Sequence, residues 1–180
     1  MKTIKFLSTL AIVIALFSVT TPCQAQTPAY KDNIIQNPDA EADIKVVGDY
    51  IKALVSGDLD KAKTLLAPNF KGRGPSSLDS ANVEKTVANW QANYKVQSDR
   101  KIGFVTQSHK VLSGNYKGSW VSLWGTYTFT QTEKTISIPF QYTAKVADGK
   151  IVSDRIYFDN LSVVRQLGYK LTPPETTAKK

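Results

Sequence analysis

Apolar positions follow two different periods along the chain, helical in the first half and alternating in the second. Between residues 40 and 56, Val47, Tyr50, Ile51, Leu54 and Val55 share one helical face, which predicts a helix with one buried side. Gly57 stops it, because glycine tolerates the left-handed backbone of a helix end. Asp58 is placed to cap the next helix by accepting from free backbone N–H groups. Leu59, Ala62, Leu65 and Leu66 form the buried side of that second helix, with Pro68 just past its end. The loop Lys71-Gly72-Arg73-Gly74-Pro75 breaks the chain again. A third helix is predicted over 80–96, with Val83, Val87, Trp90 and Tyr94 on its apolar side.

The second half reads as β. Residues 102–112 form a weak strand candidate, and 120–130 a strong one carrying Trp120, Val121, Leu123, Trp124, Tyr127 and Phe129. The clearest alternation follows. Ile136, Ile138, Phe140, Tyr142, Ala144 and Val146 are separated by mostly polar residues, which predicts a strand with one buried face. Asp148-Gly149 signals a hairpin turn, and 150–159 is the return strand. A short helix over 160–167, stopped by Gly168, closes the domain. Helices followed by a run of antiparallel strands argue for an α+β fold. A sheet that curls against its helices leaves a cavity between the two layers.

A two-residue turn at Asp148-Gly149 sets a register for the last hairpin. Val146 then faces Ile151, Ala144 faces Ser153, Tyr142 faces Arg155, Phe140 faces Tyr157 and Ile138 faces Asp159. Opposed residues share a face of the sheet, so this register turns Arg155, Tyr157 and Asp159 inward. A bulge at the turn would reverse the assignment. An inward Arg155 and Asp159 would form either a structural ion pair or the convergent polar groups of an apolar pocket.

The amino end changes the expected compartment. Lys2 and Lys5 precede an apolar run over 6–19 and a short stretch ending Cys23-Gln24-Ala25, the three-part pattern of a secretory signal. The run is shorter than the ~18 residues that suggest a membrane span. The expectation is therefore a signal over 1–25, a linker over 26–38, one domain over 39–169 and a flexible tail over 170–180, exported to the periplasm or beyond. Cleavage would remove the one cysteine, leaving no thiol chemistry. One histidine and scattered carboxylates do not supply a metal site, so no metal and no cofactor are expected. The formal charge of +8 falls by two with the signal. The remaining basic residues are interspersed with acidic ones, which argues for a solvated surface and against a nucleic-acid partner. No membrane association is expected once the signal has gone. His109 reads as a surface or loop residue.

The segment Tyr50-Ile51-Lys52-Ala53-Leu54-Val55-Ser56-Gly57-Asp58-Leu59-Asp60 resembles the first helix-turn-helix of the nuclear transport factor 2-like superfamily. Gly149-Lys150-Ile151-Val152, Asp159 and Gln166-Leu167-Gly168 resemble its SnoaL-like, polyketide cyclase-like branch. The resemblance implies a cone: a curved, mainly antiparallel sheet wrapped by three N-terminal helices around an apolar pocket, often as a homodimer. It places Tyr50 where ketosteroid isomerase has an oxyanion-binding tyrosine. That enzyme's base falls on Gly74 here, so its carboxylate is missing, and Asn69 stands where many relatives carry Asp. Asp159 resembles the acidic residue near the end of the last strand in the cyclase-like branch.

Three functions remain open at this point. The first is a pocket protein for a small apolar or aromatic molecule, with Trp90, Trp124, Tyr142, Arg155 and Tyr157 contacting it. The second is a cyclase, isomerase or hydratase using Asp159 as general acid/base and Tyr50 as donor to a developing oxyanion. The third is a non-catalytic domain that dimerises or binds a partner through the outer sheet face.

Overall fold

A computed structural model of the chain describes residues 29–172. The expected signal, and the tail beyond Thr172, lie outside the described residues. The elements in order are α1 (Tyr30–Asn33), β1 (Ile34–Ile35), α2 (Ala40–Ser56), α3 (Leu59–Thr64), β2 (Leu66–Lys71), α4 (Val83–Val96), β3 (Ser98–Val111), β4 (Gly118–Gln131), β5 (Lys134–Ala147), β6 (Lys150–Phe158) and α5 (Asn160–Gln166). The six strands form one open sheet in the order β1-β3-β4-β5-β6-β2, antiparallel except where β2 runs parallel to β6. The fold is α+β, a curved and mainly antiparallel sheet with helices packed on one face.

Helix α2 is the spine of the core. Val47, Tyr50, Ile51 and Leu54 are buried against Val121, Leu123, Phe140, Tyr142, Ala144 and Ile151 of the sheet. Gly57 ends it in the left-handed region (φ 95°), and its N–H reaches the Ala53 carbonyl at 3.1 Å. Asp58 and Asn82 cap α3 and α4 by accepting from the N–H groups of Lys61 and Lys85. Tyr94 of α4 donates to the Leu54 carbonyl, tying α4 to α2. A second apolar cluster of Phe129, Ile136 and Ile138 packs under Val163 and Leu167, so α5 covers the other end of the sheet.

Gly125 sits opposite Phe104, and a side chain on Gly125 would strike the carbonyl oxygen of Gly103. β3 and β4 can approach this closely only because position 125 has no Cβ. Phe104, Phe140 and Phe158 share the row of Gly125 on the concave face.

Three expectations are corrected. Residues expected as linker instead carry α1 and β1, and Ile34 and Ile35 pair with Val111 and Lys110 at the sheet edge. Asn37 is 2% exposed and donates to Asp43 and Ser108, so this segment is fastened to α2 and β3. Leu66 opens β2 and does not continue the second helix; Pro68 lies inside that edge strand. His109 lies within β3, opposite Trp120, and not in a loop.

Candidate functional site

The decisive feature is one extra residue in β6. The turn at Asp148-Gly149 has two residues with positive φ (52° and 68°), as a tight hairpin requires, and Val146 pairs with Ile151 as expected. The register then shifts, and Lys145 pairs with Ser153, leaving Val152 without a partner in β5. This is a β-bulge, and every later side chain of β6 changes face. Ala144 faces Asp154, Tyr142 faces Ile156 and Phe140 faces Phe158. Irregularity on the other side of β6 coincides with it: β2 pairs at Leu66 and again only at Lys71, and Pro68 between them has no N–H to offer.

The concave face therefore receives Asp154, Ile156 and Phe158. The expectation that the last ribbon aims Arg155, Tyr157 and Asp159 inward fails for this reason. Arg155 is exposed on the outer face and donates to the Tyr157 hydroxyl at 3.1 Å, and Tyr157 is 45% exposed. Asp159 lies beyond the strand and caps α5, accepting from the Ser162 N–H at 2.8 Å. Chemistry assigned to Asp159 cannot take place in the cavity. Trp124 is also outside, 44% exposed, because β4 alternates with Val121 and Leu123 inward.

A cavity of about 330 Å³ lies between α2, α4, the loop after β2 and the sheet. Tyr50, Tyr142, Trp90 and Asp154 all line it. The Asp154 carboxyl accepts from the Tyr142 hydroxyl at 2.7 Å. Burial raises Asp154 to about 6, against the opposing pull of the Tyr142 hydroxyl and the Arg73 backbone N–H. Burial also pushes the Tyr50 and Tyr142 phenols well above their ordinary value, and the Asp154 charge adds to the effect in both. Both tyrosines therefore stay protonated as O–H donors. The Tyr142 hydroxyl is committed to Asp154, while the Tyr50 hydroxyl has no hydrogen-bond partner among the described residues. The ring centroids of Tyr50 and Tyr142 are 6.3 Å apart.

The loop after β2 seats the carboxylate. A Cβ on Gly72 would come within 2.9 Å of Asp154 Oδ1. Arg73 exchanges backbone hydrogen bonds with β6: its N–H reaches the Asp154 carbonyl at 3.2 Å, and its carbonyl accepts from Ile156 at 3.0 Å. Gly74 also lines the cavity, and the side chain of Asp79 packs against its Cα where a side chain would stand. The position where the resemblance lacked a carboxylate thus has one beside it, supplied from five residues downstream.

Asp154 is the residue that sequence reasoning missed. It stands one place away from Arg155, and only the bulge distinguishes them. Among the described residues no three His, Cys, Asp or Glu side chains gather as metal ligands.

No protein-family model matches the chain, and no curated protein matches its sequence. Solved structures do resemble it. An NTF2-like protein from Burkholderia xenovorans LB400 is 18% identical, with 71% of this chain and 96% of that one covered at a TM-score of 0.54. A proposed SnoaL-like polyketide cyclase from Shewanella denitrificans OS-217 is 14% identical over 69% and 96%, with a TM-score of 0.55. An LEH-like epoxide hydrolase of M. tuberculosis is 18% identical over 72% and 92%, with a TM-score of 0.52. The chain shares the fold of these three proteins.

Proposed function

We propose that the chain is an exported pocket protein of the SnoaL-like type, binding a small apolar or aromatic molecule through Asp154 and Tyr50. The observation that carries this reading is a half-buried carboxylate and a phenol lining one cavity together with Ile51, Leu54, Trp90 and Ile156. Pockets of this kind hold a mostly apolar ligand and orient it with a few polar groups. Trp90 and Tyr142 complete the contact set, Trp90 as a wall and Tyr142 through its bond to Asp154.

The raised Asp154 favours a second reading, turnover. An acid near 6 exchanges its proton readily at neutral pH. Asp154 would take a proton from a carbon beside a carbonyl, the electron pair would move to the carbonyl oxygen, and Tyr50 O–H would bond to that oxyanion. Asp154 then returns the proton to the rearranged carbon skeleton. This is chemistry of the cyclase or isomerase kind, with Asp154 in the role that Asp159 cannot fill.

A homodimer is proposed through the outer sheet face. Val105 (54% exposed) and Trp124 are direct neighbours, and Tyr157 follows one strand beyond Gln141, so three of the four strands contribute a large apolar side chain to one row. Light scattering on wild type and Trp124→Glu tests it: a dimer that becomes a monomer supports the row, and a monomeric wild type contradicts it.

The pocket reading is tested by thermal-shift and calorimetric screening of phenols and polycyclic ketones. Binding lost in Asp154→Asn and kept in Asp159→Asn is the expected result. Equal sensitivity of both variants, or of neither, contradicts it.

A further inference from the structure

The cavity holding Asp154 does not stand alone. A second cavity of about 280 Å³ lies next to it, under α5, and Ile51, Trp90 and Ile156 line both. These three side chains stand between two chambers of different character. The first chamber carries Asp154, Tyr50, Asn89, Lys85 and Asp79. The second is walled chiefly by Phe129, Ile138, Phe140 and Phe158. Its phenol, Tyr127, is already committed, donating to Gln97 Oε1 at 2.9 Å.

We infer that the two chambers together bind one elongated amphipathic molecule, with a hydroxyl or enol head between Asp154 and Tyr50 and an apolar body reaching past Trp90 into the second chamber. The inference rests on the pocket reading above and adds the class of ligand. Each chamber alone is at or below the small end of ligand sites, roughly 300 Å³, while the pair suits a larger molecule. The head follows from the hydrogen-bonding inventory. The Asp154 carboxylate accepts and Tyr50 O–H donates, so the complementary group must do both. A hydroxyl or enol does. Between these two groups an ammonium only donates and leaves Tyr50 unmatched, and a carboxylate only accepts and meets Asp154 as a like charge; Lys85, Arg73 and Asp79 line the same chamber, and the charged probes below read their pull directly. The tail follows from the second chamber's walls, which are apolar apart from Asn93, Gln97, Asn160 and the committed Tyr127.

The test uses the full chain, followed by Trp fluorescence and calorimetry at pH 7.5. The probes are 4-methylphenol, 4-butylphenol and 4-octylphenol for length, and 1-octanol, octylamine and octanoic acid for the head. Affinity should rise with length by about fourfold per methylene that enters the second chamber. 1-Octanol should bind at least tenfold tighter than octylamine or octanoic acid. Val163→Trp, whose side chain would fill the second chamber from α5, should flatten the length series and leave 4-methylphenol unchanged. Ile138→Phe serves the same purpose from the sheet if the first variant does not fold. A length series that is flat in wild type, or still steep in the filled variants, overturns the inference, as does a preference for the amine or acid head. Failure of the underlying pocket reading looks different: 4-methylphenol itself would bind no more weakly to Asp154→Asn than to wild type.

Discussion

Strands β5 and β6 are hydrogen-bonded neighbours joined by two residues, yet they obey different rules. Along β5 the buried positions Ile136, Ile138, Phe140, Tyr142, Ala144 and Val146 never miss a step. β6 keeps step for its first residues only, loses it at Val152, and then presents Asp154, Ile156 and Phe158 to the interior. The regular strand supplies the wall of the cavity, and the irregular one supplies its carboxylate. Periodicity is a local signal and reveals a face only as long as pairing continues without interruption. One unpaired residue is enough to exchange a buried carboxylate for a buried guanidinium, and a bulge is a common device for re-aiming a side chain at a site.

The largest test of this contrast is to put a guanidinium at the position that the bulge turns inward, with Asp154→Arg. The larger cation would lose the bond from the Tyr142 hydroxyl and stand against the side chains of the core. A loss of more than about 3 kcal/mol in urea unfolding, or failure to fold, is expected. A variant of wild-type stability would mean that position 154 does not face the interior. Next comes Ile136→Ala in the regular strand, a buried position whose truncation should cost about 2–5 kcal/mol by the same measurement; a cost below 1 kcal/mol would contradict the packing described.

Asp154→Asn should act in the opposite direction. An acid whose pKa is raised on folding holds its proton more tightly in the native state, so stability falls as pH rises from the unfolded value near 3.8 to the folded value of about 6. Above that range wild type carries a penalty of up to about 3 kcal/mol, which the uncharged variant lacks. Asp154→Asn should therefore be the more stable protein at pH 8, with the difference vanishing below pH 4, while ligand binding is lost. Stability given up at a functional group is a familiar compromise. The smallest effect is expected at Asp159→Ala, which removes a helix cap worth about 1 kcal/mol and leaves binding intact.

Much of the fold was legible. The apolar face around Val47, Tyr50, Ile51 and Leu54 gave α2 its correct bounds, since helix ends carry their own signals in Gly57 and Asp58. The Asp148-Gly149 turn was equally clear. β2 was not, because Leu66–Lys71 is an edge strand interrupted by Pro68 and has no alternation to read. Nor was β1, whose two residues gain meaning only from their partners Lys110 and Val111. In the site, Tyr50, Trp90 and Tyr142 sit on regular elements and line the cavity together. Trp124 does not, because β4 is apolar on both faces there and Trp120 and Trp124 alternate with Val121 and Leu123 as plausibly one way as the other. Asp154 was hidden for a third reason. Its orientation depends on the ladders β6 makes with β5 and β2, which no single strand encodes.

The most direct measurement is a carbon-13 NMR titration of the aspartate side-chain carboxyls, with and without 4-octylphenol. Asp154 should titrate near 6 and shift on addition of the phenol, while Asp159 stays unmoved by it. An Asp154 that titrates at the ordinary value and ignores the phenol, with Asp159 responding in its place, would contradict the account.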